Sequence, residues 1–535
     1  MQNNKLDKFP VTDVRSQEEV FAFLRRPSSY QAPPDYVEVH ETHGAVVFLA
    51  GNLAYKVKKD VKLPYMDFST LEKRHYYCQH ELDINRPYAP GLYIDILPIT
   101  IETNGSLALN GKGSPIEWAI RMKRFDQEKM LDHLPHAKLA EKPLIEKLTT
   151  AILRYHRLAP SVVISDGPQK ISALIEELAL AFWAAPEIFS TGQAAEFETL
   201  ARENLDRTYY CLRWRGRRGF VRRCHGDLHL RNIVMIDDEP LPFDALEFDE
   251  DLATIDVLYD LAFLLMDLDY QGLSPTANRI LNKYLFLSSK YEDIYGLKAM
   301  PLFLALRAGI RAMVCVDHAR QCTGKKAGAK TREAGIYFHA ALHYLRPKKP
   351  LLIAIGGFSG TGKTTLAERL AGSLDHAPGF LHLRSDTERK QIFDVAETDR
   401  LGSKGYTKTA DTQVYDHLLR KARITLKVGQ RVIVDAVFSK EHERRAFETL
   451  AKEFDIPFIG LWLTADEAQM SLRVVLRRGD ASDATPDIVH QQLRSDTGSN
   501  NWLPVDASGT EIDTLKNTLA VFESAAFDLD QCIDI

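Results

Sequence analysis

Residues 351–366 carry the most explicit chemistry in the chain. An apolar run, Leu351 to Ile355, feeds a glycine turn holding Gly357, Gly360 and Gly362, followed at once by Lys363, Thr364 and Thr365. The spacing from Gly357 to Gly362-Lys363-Thr364 is that of a phosphate-binding P-loop, which needs a strand before it and a helix after it. In that setting the glycines let backbone N–H groups curl around a polyphosphate. Lys363 reaches the β/γ-phosphates and the Thr364 hydroxyl ligates Mg²⁺.

A second constellation lies about 130 residues earlier. His225-Gly-Asp227-Leu-His-Leu-Arg-Asn232 is followed by Phe243-Asp244. An Asp, an Asn five residues on, and a later Asp suit phosphoryl transfer. The first orients or deprotonates an acceptor hydroxyl, and the other two hold Mg²⁺ against phosphates. His225 reads as a structural hydrogen-bonder.

Further candidates follow the P-loop. Asp435 ends the apolar run Val432-Ile-Val, where a metal-shell carboxylate belongs. Arg473, Arg477 and Arg478 share a predicted helix before Gly479-Asp480, and their spacing fits a lid that stabilises charge on a transferring phosphoryl group.

These residues need elements to hold them. Residues 44–61 read as a hairpin turning at Gly51-Asn52. Ser69-Thr-Leu-Glu72 reads as a capping box opening a helix to about Arg86. Strands fit 92–101 and 116–123, helices fill about 143–210, a short β-like stretch spans 220–247, and helices return from 255 to about 345. Lys325-Lys326-Ala-Gly-Ala-Lys330 reads as a flexible loop. Arg346-Pro-Lys-Lys-Pro350 is the best linker. Beyond it, strand candidates at 351–356, 380–384, 431–437 and 457–463 alternate with helical patterns, which predicts a parallel sheet covered by helices. The expected organisation is an extension (1–34), a kinase-like domain (35–345, lobes 35–125 and 126–345), a linker (346–350) and a P-loop domain (351–535), of α+β and α/β class.

Composition limits the alternatives. The 535 residues are 45% hydrophobic and 26% charged with net charge −5, which argues against a chain built to coat nucleic acid. The run Arg213 to Arg223 reads as a solvated connector, and Glu247 to Asp251 as a solvated acidic loop. No stretch of 18 uncharged apolar residues and no apolar leader is evident, so a cytoplasmic protein without a membrane segment is expected. Six cysteines without a CxxC pair read as reduced thiols.

The HGDxxxxN form at 225–232 resembles the aminoglycoside phosphotransferase family, a branch of the protein-kinase-like fold. The resemblance implies Asp227 as catalytic Asp and Asn232 and Asp244 as Mg²⁺ ligands. It also implies Lys56 as the ATP-phosphate lysine, Glu81 as its ion-pair partner, Asp260 as a brace for the catalytic loop, and Met122 to Arg124 at the hinge near adenine. Lys58 and Lys59 compete with Lys56 for the lysine role, and no glycine-rich GxGxxG precedes it. The C-terminal part resembles P-loop small-molecule and polynucleotide kinases, which implies that Asp386 with Arg389 handles the acceptor. The whole layout is similar to bacterial fusions of an aminoglycoside-phosphotransferase-like domain with an ATP-binding domain. These resemblances imply ATP, Mg²⁺ and small-molecule acceptors such as a sugar, polyol or aminoglycoside-like metabolite. A nucleotide-bound regulatory protein with one pseudokinase half, and a polynucleotide-end kinase, are the competing readings. Oligomeric state is left open.

Overall fold

The computed structural model describes residues 16–63, 66–374, 377–477 and 479–524; Arg478 and the first half of the 1–34 stretch lie outside them. Two compact units emerge. One comprises residues 1–134, 158–160 and 222–255; the other comprises 135–157, 161–221 and 256–535.

The first unit is an antiparallel sheet with one long helix. Its strands are β1 (Val37–Glu41), β2 (Ala45–Ala50), β3 (Leu53–Lys58), β4 (Tyr93–Ile101), β5 (Leu107–Leu109) and β6 (Ser114–Lys123), in the order β1-β2-β3-β6-β4-β5. The expected hairpin is β2–β3, with Ala50 opposite Leu53 and Gly51 at φ 59° in the two-residue turn. One face buries Phe48, Tyr55, Val57 and Ile99 beneath α1 (Gln17–Leu24), whose Val20, Phe21 and Leu24 join that core. The other face carries α2 (Leu71–Asn85), from which Cys78 and Leu82 are buried with Tyr93, Ile120 and Met122. The cap of α2 is Thr70, not Ser69: its hydroxyl accepts from the Lys73 amide. The loop carrying 225–232 leads into the hairpin of β7 (Ile233–Ile236) and β8 (Glu239–Pro242).

The second unit holds the helices α3 (Lys142–Leu158), α4 (Gly167–Trp183), α5 (Thr191–Arg217), α6 (Val257–Tyr270), α7 (Ser274–Ser288), α8 (Met300–Gln321) and α9 (Gly324–Leu345). Residues 325–330 are the first turns of α9 and not the loop expected; Lys325 and Lys326 are exposed, Lys330 pairs with Glu333, and Ala334, Tyr337 and Phe338 anchor the helix further on. Residues Tyr291–Gln321 are long and apolar enough to cross a membrane by length and composition, yet 72% of that window is buried in the fold, as befits a core helix.

The P-loop part of this unit is a five-stranded sheet: β9 (Leu352–Gly357), β10 (Leu381–Arg384), β11 (Val432–Asp435), β12 (Phe458–Thr464) and β13 (Leu503–Asp506). Every pairing is parallel, in the order β10-β11-β9-β12-β13. β9 is buried along its length, as expected of a strand covered on both faces. β13 went unread because Leu-Pro-Val-Asp is too short to show a period. The order places β9 centrally, so the turn after it opens at the carboxyl edge of the sheet, where α/β proteins bind ligands. Asn278 and Asn282 of α7 bond the Phe380 carbonyl and the His382 amide at the start of β10, which ties the helices to this sheet.

Candidate functional sites

In the first unit, β3 presents Lys56 and Lys58, and α2 presents Glu81 to both. Lys56 Nζ lies 2.8 Å from Glu81 Oε1 and 2.6 Å from Asp244 Oδ1. Lys58 Nζ lies 2.8 Å from Glu81 Oε2 and also bonds Glu247. Lys58 and Glu81 are fully buried. Glu247 is buried too, which removes it from the expected solvated acidic loop. Burial pushes the Lys56 and Lys58 ammoniums down, but the carboxylates around them win and hold both above the usual lysine range. Burial likewise raises Glu81, while the two lysines pull it below the usual carboxylate range. Lys59 pairs with Glu41 instead and leaves the lysine role to its neighbours.

The residues of the 225–232 loop hydrogen-bond to one another and to Phe243, next to Asp244. Asn232 Nδ2 donates to Asp227 Oδ2 at 2.9 Å and to the Asp227 carbonyl at 3.0 Å. His229 Nε2 stands 3.3 Å from the Asp227 carboxylate. His225 is buried with Nε2 2.9 Å from the Phe243 carbonyl, the structural role expected of it. Asp244 sits in the left-handed region at φ 59°, its amide donating to the Tyr93 hydroxyl. Asn85 at the end of α2 accepts from the Ala245 amide, which ties the Glu81 helix to the Asp244 turn. Two ammoniums (Lys56, Lys58) face three carboxylates (Glu81, Asp244, Glu247), which leaves one negative charge and suits a divalent cation with phosphates. Met122 is buried, packed in the core beside Ala54 and Tyr93. Asp260, on α6, is fully buried 3.1 Å from His156, whose other ring nitrogen meets Tyr284.

In the P-loop part, Gly360 and Gly362 have φ of 85° and 90°. A Cβ on Gly360 would collide with the Met470 backbone, whereas one on Gly362 would meet nothing within 4 Å, so that side of the turn is open. Lys363 opens α10 (Lys363–Ser373), with its ammonium 3.0 Å from the Phe358 carbonyl across the loop. Burial pushes that ammonium below the usual lysine range despite Asp435 and Asp386. Thr364 Oγ1 donates to Asp435 Oδ2 at 2.6 Å. Burial by itself would raise Asp435; His382 at 3.6 Å, Lys363 and Arg384 instead hold it at about 2. A hydroxyl and an ionised carboxylate side by side form an oxygen pair suited to a hard cation. Gly360, Gly362, Thr365, Arg473 and Arg477 line a cavity of about 310 Å³.

Two expectations need correction here. Asp386 stands in the first turn of α11 (Ser385–Ile392). The arginine beside it is Arg384 at 3.8 Å, because Arg389 is held elsewhere, on Asp411 at 2.8 Å and on the Gly405 carbonyl. Arg473 is on the helix Glu467–Leu476, but it clamps the Ala507 and Gly509 carbonyls at 2.8 and 2.7 Å; Arg477 caps the end of that helix, 3.9 Å from Asp480. Sequence reasoning missed Arg384, His382 and the cluster in which Lys390, Tyr406 and the Leu401 amide converge on Asp483. The strand-end positions of His382 and Arg384, next to a carboxylate-ended strand, were the available signal. A second cavity, of about 150 Å³, brings His382, Arg384 and Thr387 together with Lys142, Asn282 and Lys283 from α3 and α7.

The Arg213–Arg223 run is not a solvated connector. It closes α5, and Arg215 is wholly buried, 2.6 Å from Asp256 and 3.4 Å from Asp293.

A family model described as an AAA domain matches residues 352–497. Uncharacterized proteins of Mycobacterium tuberculosis and Mycobacterium bovis are 28% identical over 503 residues, 92% of this chain and 96% of theirs. Among solved structures, a gluconokinase from Sinorhizobium meliloti is 18% identical, covers 34% of this chain and 97% of its own, and has a TM-score of 0.26. A choline/ethanolamine kinase family protein from Mesorhizobium loti (11%, 62% and 99%, 0.35) and an ADP-bound aminoglycoside phosphotransferase (12%, 61% and 98%, 0.36) overlie a larger share. With scores this low, the fold rests on the chain's own topology. That topology is an antiparallel sheet with one long helix and the 225–232 loop in the first unit, and helices with a five-stranded parallel sheet behind a P-loop turn in the second.

Proposed function

We propose that the chain is an ATP- and Mg²⁺-dependent phosphotransferase with two centres, each acting on hydroxyl groups of small molecules. The observation that carries this reading is the 2.6 Å contact between Thr364 and Asp435 beside Lys363, supported by the Lys56–Glu81 and Asp227–Asn232 pairs in the other half. Bound Mg²⁺–ATP supplies the transferable phosphoryl group and screens its charge.

In the N-terminal centre, Lys56 held by Glu81 orients phosphates, Asn232 and Asp244 take the metal, and Asp227 faces the acceptor hydroxyl and accepts its proton. In the P-loop centre, the loop amides and Lys363 hold phosphates, Thr364 and Asp435 take the metal, and Asp386 works on the acceptor side with Arg384. Arg477 faces the phosphate cavity. The polynucleotide-end reading, which draws on the Arg213–Arg223 run, would have to do without Arg215, which Asp256 holds.

Titration with a non-hydrolysable ATP analogue tests the proposal. Uptake approaching two per chain is expected, with Lys363→Ala removing one site and sparing the other. A single site abolished by Lys363→Ala would overturn the two-centre reading. An unbiased metabolite screen for ATP consumption, with each half inactivated in turn, would then identify the acceptors.

A further inference from the structure

His229 stands two residues past Asp227, and the roles proposed above have no part for it. It is buried at the entrance to the short turn Leu230–Asn232. Its ring has a contact at each nitrogen. Nδ1 accepts from the Arg231 amide at 3.2 Å, and Nε2 stands 3.3 Å from Asp227 Oδ2. An amide donates only to an unprotonated ring nitrogen, so the neutral imidazole carries its proton on Nε2. That N–H lies on the side of the Asp227 carboxylate.

Capping the turn does not by itself require an imidazole. A cap needs one acceptor, and Asn, Asp or Ser supplies it from a shorter side chain. The turn also has other holds: the Asn232 amide donates to the His229 carbonyl at 3.0 Å, and Arg231 Nε lies 3.3 Å from Asp132. What the imidazole adds is a second nitrogen across a rigid ring, within reach of a carboxylate that the capping atom does not touch.

Asp227 has need of such a hold. Its side chain is 41% exposed, so packing alone does not fix its rotation. Asn232 Nδ2 donates to the same oxygen, Asp227 Oδ2, at 2.9 Å. Donors from two side chains on one oxygen set the plane of the carboxylate, and a reacting group held in its productive orientation gains rate without gaining affinity.

We propose that His229 is a positioning residue: through Nε2–H it fixes the Asp227 carboxylate in the orientation that accepts a proton from the acceptor hydroxyl. The inference rests on the acceptor-side role proposed for Asp227. Its loss falls on kcat and leaves nucleotide affinity in place.

The test is ATP hydrolysis by the full chain, with water as the acceptor, in a Lys363→Ala background that silences the P-loop centre. Rates are expressed per site that binds a non-hydrolysable ATP analogue, so that only folded protein counts. His229→Asn puts an amide oxygen where Nδ1 stands and keeps the cap, but stops short of Asp227. His229→Gln puts an amide N–H where Nε2 stands and gives up the cap. His229→Asn should lower kcat about tenfold or more, the order of one hydrogen bond to a charged group, with the KM for ATP unchanged. His229→Gln should keep most of the parental rate. His229→Asn at the parental rate, His229→Gln losing as much as His229→Asn or more, or a loss that lies in the KM for ATP would each overturn the proposal. Asp227→Asn is the control for the reading beneath it: hydrolysis that survives this change would overturn the role of Asp227 itself, and the inference with it.

Discussion

The Thr364 hydroxyl and the Asp435 carboxylate meet at 2.6 Å, joining the first turn of α10 to the end of β11. They are 71 residues apart in sequence and adjacent only because β9 and β11 pair in parallel, with Ile355 opposite Asp435. The two oxygens that satisfy each other here are the two that would share a metal ion.

That adjacency underlies the separate roles proposed for Asp435 and Asp386. Asp386→Asn is expected to lower turnover of the P-loop centre by ~10²–10⁴, the usual cost of losing a general base, with nucleotide binding retained. Asp435→Asn should instead raise the Mg²⁺ concentration needed for half-maximal rate. Steady-state rates against Mg²⁺ distinguish them. An unaffected Asp386→Asn, with Asp435→Asn dead at saturating Mg²⁺, would exchange the roles.

In the N-terminal centre, the role proposed for Asp227 on the acceptor side means that Asp227→Asn should abolish transfer while nucleotide affinity survives. Asp244→Ala should weaken Mg²⁺-dependent nucleotide binding. Equilibrium binding and rate measured on the same variants decide it. Loss of nucleotide binding in both would show that the acceptor and metal roles are misassigned.

Lys58 is buried between Glu81 and Glu247, so removing it strands carboxylates away from water. Lys58→Ala should destabilise by about 3–5 kcal/mol, as broken buried pairs do. Lys58→Met combined with Glu247→Leu should recover most of that loss, because an apolar replacement of both partners leaves no unpaired charge. Chemical denaturation measures both. A double variant no better than the single would mean that the pair is held for more than charge balance.

Arg215 gives a control on the arginine run. Arg215→Ala should also cost about 3–5 kcal/mol, with Asp256 and Asp293 left facing an empty space. Arg217→Ala, on the same helix but exposed, should fall within about 0.5 kcal/mol. Equal effects in a thermal melt would contradict the buried role.

The thiols predict a pH response. Burial pushes Cys78 up to about 12, and Cys211 and Cys315 up to about 11. A raised folded-state value favours the neutral thiol. Its contribution to stability is therefore complete below about pH 9 and is lost as pH climbs from there through the folded values. At pH 8 native alkylation followed by mass spectrometry should label Cys322, which is only partly buried, before these three. Early labelling of Cys78 would contradict its burial.

Much of this was legible locally. The P-loop needs only a contiguous strand, glycine turn and helix, so residues 351–366 specify it unaided. The same holds for the 225–232 loop, the β2–β3 hairpin and the parallel alternation after residue 350, since each is written in neighbouring residues. The tertiary structure decided what depends on distant partners. It made Lys58 a buried twin of Lys56, because Glu81 arrives from a helix more than 20 residues on and Glu247 from a loop 189 residues away. It exchanged Arg389 for Arg384 beside Asp386, because one turn of helix aims Arg389 at Asp411. It buried Arg215 in a run that composition alone marks as solvent-facing. Residue type and spacing set what a side chain can do; which partner it meets depends on long-range packing, which no short window of sequence contains.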